Sequence, residues 1–160
     1  MTPKRIIWHH TGDASPGAQF DKINAYHKSR GFPLSSLGYF VGYHYLIERD
    51  GTLRQARSLE EMGAHDQAEN LNSLGIALAG NFDIERPSEA QTIKATKSLG
   101  EIMAAKSIPI TRIEPHRRDD ETSCPGRLLG DDWLTKEYLR RHANPLVQQF
   151  LAIGEEKGFL

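Results

Sequence analysis

EPHRRDDETSCPGRLL, residues 114 to 129, holds the only cysteine of the 160-residue chain, Cys124, eight positions after His116. A thiolate and an imidazole on one loop are two soft metal ligands that need a third. The strand-like opening IIWHHTG, residues 6 to 12, offers it, because His9 and His10 stand where the chain turns polar. One imidazole from a strand, with an imidazole and a thiolate from a distant loop, makes a His2Cys set. Nitrogen and sulfur ligands suit zinc, and three protein ligands leave a fourth tetrahedral position open, as in catalytic rather than structural sites. Successive side chains on a strand face opposite ways, so only one of His9 and His10 can point at a given metal. The competing reading is that a lone cysteine behaves as a small buried hydrophobe, and neither HExxH nor a paired CxxC occurs in the chain.

Four segments carry more than the spacing does: IIWHHTG (6–12), GYHYLIERDGTLRQAR (42–57), GAHDQAENLNSLGIALAGNF (63–82) and EPHRRDDETSCPG (114–126). In this order they resemble the zinc-dependent N-acetylmuramoyl-L-alanine amidases, the family of the phage lysozyme-type amidases and the peptidoglycan-recognition proteins. The resemblance covers about residues 5 to 130. It implies that His9, His116 and Cys124 hold one zinc per chain and that Tyr43 is a catalytic tyrosine. It gives Thr122 a catalytic place where phage relatives carry a lysine and the amidase-active recognition proteins carry a threonine. His65 and Asn72, in the third segment, are expected to bind substrate, and Asp119, Asp120 and Glu121 are weaker candidates for proton transfer. The implied substrate is peptidoglycan, cut between the lactyl group of N-acetylmuramic acid and L-alanine, as by an endolysin. The alternative is a non-catalytic module that recognises peptidoglycan through the same groove, but such relatives typically lack the cysteine that this chain has. A structural zinc domain would need a fourth ligand from His10, His44, His65 or a carboxylate.

The bulk numbers exclude several other classes. Twenty basic residues against 21 acidic ones leave a formal charge of −1, which is no electrostatic footprint for nucleic acid. No apolar run approaches the roughly 18 residues of a membrane helix, so no membrane insertion is expected. MTPKR, ahead of the first strand, leaves no room for a secretory signal. The expectation is synthesis in the cytoplasm, with action on the cell wall after release or on wall fragments inside. At 38% hydrophobic and 26% charged, the chain suits one domain with one core. Residues 1–143 form the catalytic domain in this reading, and 144–160 are a C-terminal helical extension of it. Nothing in the pattern sets an oligomeric state.

Along the chain, Phe20, Ile23, Tyr26 and His27 recur at helical spacing up to Gly31; His27 reads as a partly buried position on that face. FPLSSLGYFVG (32–42) is a loop that either rims a groove or packs a few aromatics. Tyr43–Glu48 and Thr52–Arg57 flank Asp50-Gly51, a hairpin signal, with Tyr43 and Tyr45 expected on one face. Small and apolar residues alternate from Leu74 to Ala79 in a buried strand. Ser88 and Gln91 form a capping box for a helix with Ile93, Thr96, Leu99 and Met103 on one face. Ile108–Ile113 reads as a strand that delivers His116. Trp133, Leu134 and Tyr138 mark a further helix, and Asn144-Pro145 starts another. Strands alternating with helices make the fold α/β: a central mixed sheet of about five strands flanked by helices on both faces.

Overall fold

The computed structural model describes residues 1–144 and residue 154. Its five strands are β1 (Arg5–His10), β2 (Tyr45–Ile47), β3 (Leu53–Gln55), β4 (Ser73–Leu78) and β5 (Ile113–Pro115), in the order β3-β2-β4-β1-β5. Strand β1 runs parallel to both β4 and β5, β2 runs parallel to β4, and only β2 and β3 pair antiparallel. The helices are α1 (Phe20–Ser29), α2 (Glu89–Lys106) and α3 (Trp133–His142). The single-domain mixed α/β sheet is therefore the architecture present. Among the described residues no helix is long and apolar enough to cross a membrane. The helix expected from Asn144-Pro145 lies outside the described residues.

Alternation along the central strands sorts the two faces. On one face Ile6 and Trp8 of β1 and Leu74, Ile76 and Leu78 of β4 pack against Ala95, Leu99 and Ile102 of α2 and Leu134 of α3. Fully burying each Leu or Ile there contributes about 2 kcal/mol. The other face has a smaller cluster, in which Phe20 and Ile23 of α1 meet Val41, Leu46, Ala56 and Ala79. Here β4 presents Gly75 and Ala77, which register against Ile7 and His9 of β1. Two small residues in the middle of a sheet leave room above it.

The ends of the helices show two kinds of cap. Helix α2 has the expected capping box: Ser88 Oγ accepts from Gln91 N at 3.0 Å, and Gln91 Oε1 accepts from Ser88 N at 3.1 Å. Helix α1 has no side-chain cap of its own. Instead the buried carboxylate of Glu48, just past β2, accepts from the backbone N–H groups of Gln19 and Phe20, each at 2.8 Å. A carboxylate at a helix N-terminus satisfies orphan donors and meets the positive end of the dipole, so Glu48 anchors α1 to the sheet.

Four expectations need correction. Tyr43 and Tyr45 do not share a face: β2 begins at Tyr45, a bend over 42–44 interrupts the alternation, and Tyr43 packs on the α1 side while Tyr45 packs on the α2 side. The segment before His116 is a 3-10 turn at Ile110–Arg112 followed by β5, not a strand from Ile108. Ile93 is 52% exposed, and the buried stripe of α2 runs through Ala95, Leu99 and Ile102 instead. Tyr26 is likewise exposed, because the inner face of α1 is Phe20, Ile23 and His27.

Ser88→Ala should destabilise the fold by about 1 kcal/mol, the usual cost of losing an N-cap acceptor. Urea denaturation at neutral pH measures it, and an unchanged midpoint would show that the capping box is energetically idle.

Candidate metal centre

His9 is the fifth residue of β1, on the face opposite Trp8, and only 1% exposed. His116 follows β5 directly, and β5 lies beside β1 in the sheet. Parallel pairing thus brings together two residues 107 positions apart. Cys124 is brought back by its loop. Arg117 N–H donates to the Cys124 carbonyl at 2.8 Å, and the Arg117 guanidinium donates to the carbonyls of Ser123, Gly126 and Leu129 at 3.3, 3.1 and 2.6 Å. Gly126, at φ 117°, lies against Phe82 so closely that a Cβ would fall 2.4 Å from its carbonyl carbon. Arg5 of β1 pairs with buried Glu114 and, at 2.7 Å, with Asp119, which ties the start of the same loop to the sheet.

The ligand atoms of His9, His116 and Cys124 lie within 4.8 Å of one another, and His9 Nδ1 is 3.7 Å from Cys124 Sγ. Bonds of roughly 2.0 Å to nitrogen and 2.3 Å to sulfur place the ligands of a tetrahedral zinc roughly 3.5 Å apart, so this donor set fits the ion. The electrostatics agree. Burial lowers the His9 pKa well below that of an ordinary histidine, and nearby His65, His116 and His10 push the same way, so its lone pair is free. Burial also pushes the Cys124 thiol up to about 12. A dication is the charge that would release that proton and hold the thiolate. His10 points to the other face, where its Nδ1 accepts from Phe82 N at 3.0 Å.

The other expected residues are placed unequally. Tyr43 lies over His9, ring centroids 5.1 Å apart, and burial pushes its phenol well above the usual range, so it stays protonated. Thr122 is exposed on the loop, its Oγ1 accepting from Cys124 N at 3.2 Å. His65 is only 9% exposed, with Nδ1 3.1 Å from His9 Nε2. Asn72 is not brought to the site. It is exposed at the start of β4, where its carbonyl accepts from Lys4 N, five residues or about 16 Å of strand from the level of His9. Asn70 stands there instead, its Oδ1 accepting from the N–H groups of His65 and Asp66 at 2.7 and 3.0 Å.

A groove of about 340 Å³ opens beside the cluster, lined by Phe32, His65, Asp66, Asn70, His116 and Asp120 among others. Phe32 puts the start of the 32–42 loop on its rim. Asp120 lies 2.9 Å from His116 Nε2. Asp119 is engaged with Arg5 at 2.7 Å. Asp66 was not singled out from the sequence. It is 2% exposed, its Oδ1 accepts from the N–H groups of Ala68 and Glu69, its Oδ2 is buried without a hydrogen-bond partner among the described residues, and burial raises its pKa. The one signal for it was its place next to His65.

The fold and the cluster define an α/β domain with a candidate three-ligand metal site at the border of a groove. The chain belongs to the N-acetylmuramoyl-L-alanine amidase family, which matches residues 1–127. It is 34% identical over 110 residues to peptidoglycan-recognition protein SC2 of Drosophila melanogaster, covering 68% of this chain and 56% of that one. It is 35% identical over 119 residues to the endolysin of Klebsiella phage KP32, covering 72% and 75%. Among solved structures, the amidase LysC from Clostridium intestinale URNW superposes with a TM-score of 0.68 at 32% identity, covering 79% of this chain and 78% of that one. The chain thus spans little more than half the length of the fly protein.

Two further histidines line the interior. His27 Nδ1 accepts from Gly42 N at 3.0 Å, and His44 Nδ1 accepts from Gly75 N at 3.0 Å. Burial lowers both to about 4, from an ordinary 6.5. Both are neutral when folded, so their contribution is fully present above pH 6.5. It falls as the pH drops from 6.5 toward 4, where the unfolded chain takes up protons that the folded one refuses. The urea midpoint of the metal-free protein should decrease over that window, and His27→Gln should flatten the slope by up to one proton. An identical slope in the variant would show that His27 titrates normally.

Proposed function

We propose that this chain is a zinc-dependent amidase that hydrolyses the bond between N-acetylmuramic acid and L-alanine in peptidoglycan. The observation that carries this reading is the complete His9, His116, Cys124 set, with His9 and Cys124 buried and His116 half-buried on the lining of the groove. Its similarity to a phage endolysin and to a clostridial amidase supports the same reaction.

In this reading His9, His116 and Cys124 hold the ion. When bound, zinc supplies Lewis acidity that polarises the scissile carbonyl and brings the pKa of water toward neutrality. The remaining work falls to the chain's own groups. Tyr43 keeps its phenolic proton at neutral pH and donates it as a hydrogen bond to the oxygen that gains charge when the carbonyl is attacked. Asp120 accepts from His116 Nε2 and so fixes that ring, as carboxylates beside ligand histidines do. Thr122 braces the Cys124 backbone and presents an exposed hydroxyl beside the ligand. The groove along Phe32, Asp66 and Asn70 takes the stem peptide.

Two outcomes test this. The purified protein should contain one zinc per chain, release new L-alanine amino termini from sacculi, lose that activity to a chelator and regain it with added zinc. Full hydrolysis by metal-stripped protein would overturn the mechanism. Tyr43→Phe, which removes only the hydroxyl, should lower turnover about 100- to 1000-fold with the zinc content unchanged. Turnover at the wild-type rate would make Tyr43 a packing residue.

Cys124→Ser separates enzyme from recognition module. We expect the variant to remain folded by circular dichroism and to be retained by sacculi, but to release no L-alanine amino termini. Wild-type release would show that Cys124 is not a ligand.

A further inference from the structure

His65 is placed differently from a substrate-binding histidine. Its ring is almost wholly buried, and its Nδ1 is directed not into the groove but at His9 Nε2, 3.1 Å away, with the two rings edge to face. We propose that His65 is a positioning residue for His9: it accepts the Nε2 proton of His9 and so holds His9 in the tautomer whose bare Nδ1 faces Cys124 Sγ. The meaning of this contact for metal binding rests on the reading of His9 as a ligand; the hydrogen bond itself rests on geometry.

The surroundings are built around that ring. A Cβ on Gly63 or on Gly75 would lie 2.5 Å from His65 Cδ2. Two glycines, one in the loop before His65 and one in the middle of β4, therefore vacate the volume the imidazole fills. The backbone behind it is pinned as well, since His65 N–H and Asp66 N–H both donate to Asn70 Oδ1. His44 completes the wall: its Nδ1 accepts from Gly75 N, and its Nε2 lies 3.0 Å from the Glu61 carbonyl. These groups enclose the imidazole on the sides away from His9.

Between two neutral imidazoles in contact one nitrogen donates and the other accepts. If His9 Nε2 donates, His9 Nδ1 is bare, which is the state a metal ligand requires. Ligand histidines commonly pass their second N–H to a carboxylate or a carbonyl, and such partners are worth about 10- to 100-fold in metal affinity. Here the acceptor is a second histidine. His65 must then carry its own proton on Nε2, a buried atom with no hydrogen bond of good geometry among the described residues.

The test compares His65→Asn with His65→Leu. The two side chains have nearly the same shape, but Asn can place a carbonyl oxygen where Nδ1 lay and Leu cannot. Metal-free wild type and both variants are titrated with cobalt(II), reading the thiolate-to-cobalt absorption band, with circular dichroism to check the fold. We expect His65→Leu to bind about 10- to 100-fold more weakly and His65→Asn to stay close to wild type. Equal affinities for the two variants would overturn the proposal. Wild type that binds no cobalt through Cys124 would overturn the ligand reading of His9, and the positioning role with it. A second measurement needs no variant and no metal: long-range 1H–15N correlation spectra of the metal-free wild type report the tautomer of each histidine. His9 protonated on Nε2 supports the proposal, and His9 protonated on Nδ1 overturns it even if the variants do not fold.

Discussion

The face of β4 that carries Gly75 and Ala77 is the constraint on which the site depends. Along SLGIAL the large residues Leu74, Ile76 and Leu78 go to one side, where they meet α2, and the small ones go to the other. A period of two makes this automatic in a strand. Filling the small side with ordinary core residues would give a better packed sheet and no space for an imidazole beside His9. The volume left open is occupied by polar rings, and each of them has a backbone or side-chain partner that offsets the cost of burial.

The next requirement is to hold a loop. His9 and Cys124 are 115 residues apart, and only the parallel pairing of β1 with β5 puts them within reach. That pairing delivers His116 and leaves Cys124 to be folded back by Arg117, whose guanidinium donates to the carbonyls of Ser123, Gly126 and Leu129. Arg5 does the corresponding work at the other end of the loop through Glu114 and Asp119. Removing one member of a buried ion pair leaves an uncompensated charge, which typically costs 3–5 kcal/mol. The geometry of the cluster is thus coupled to ion pairs outside it.

The charge state of the cluster follows from the same burial. His9 is kept neutral and Cys124 is kept protonated because both lie where an isolated charge is poorly solvated. A site of this kind is electrostatically quiet without a cation and becomes a good host for one, since a dication both displaces the thiol proton and is screened little by solvent. The phenol of Tyr43 is kept protonated by the same environment, which suits a donor rather than a base.

Much of this was legible in the chain. Strand and helix periodicity, the Asp50-Gly51 hairpin, the Ser88–Gln91 capping box and the four ordered segments were enough for the α/β class, the sheet and the family, because they are local patterns or match a family whole. Within the site the sequence singled out His9, Tyr43, His65, His116 and Cys124, which the fold does gather. It also singled out Asn72, which the fold leaves exposed at the start of β4, while Asn70 lines the groove. That placement, the face of Tyr43, the exposure of Ile93 and the unremarked Asp66 share one cause: each depends on where a bend or a turn sends the chain, and a one-residue change of phase moves a side chain to the other side. The capping of α1 by Glu48, the stapling of the Cys124 loop by Arg117 and the contact between His65 and His9 lie further from sequence patterning, since each joins residues separated by many positions through groups whose types are common. The amino-acid sequence by itself determined the class of fold and the chemical kinds of residue available to the site. Only the tertiary structure decided which of them face one another, because hydrogen bonds and ion pairs between distant residues are set by the packing of whole elements and not by the local preferences that leave a periodic trace.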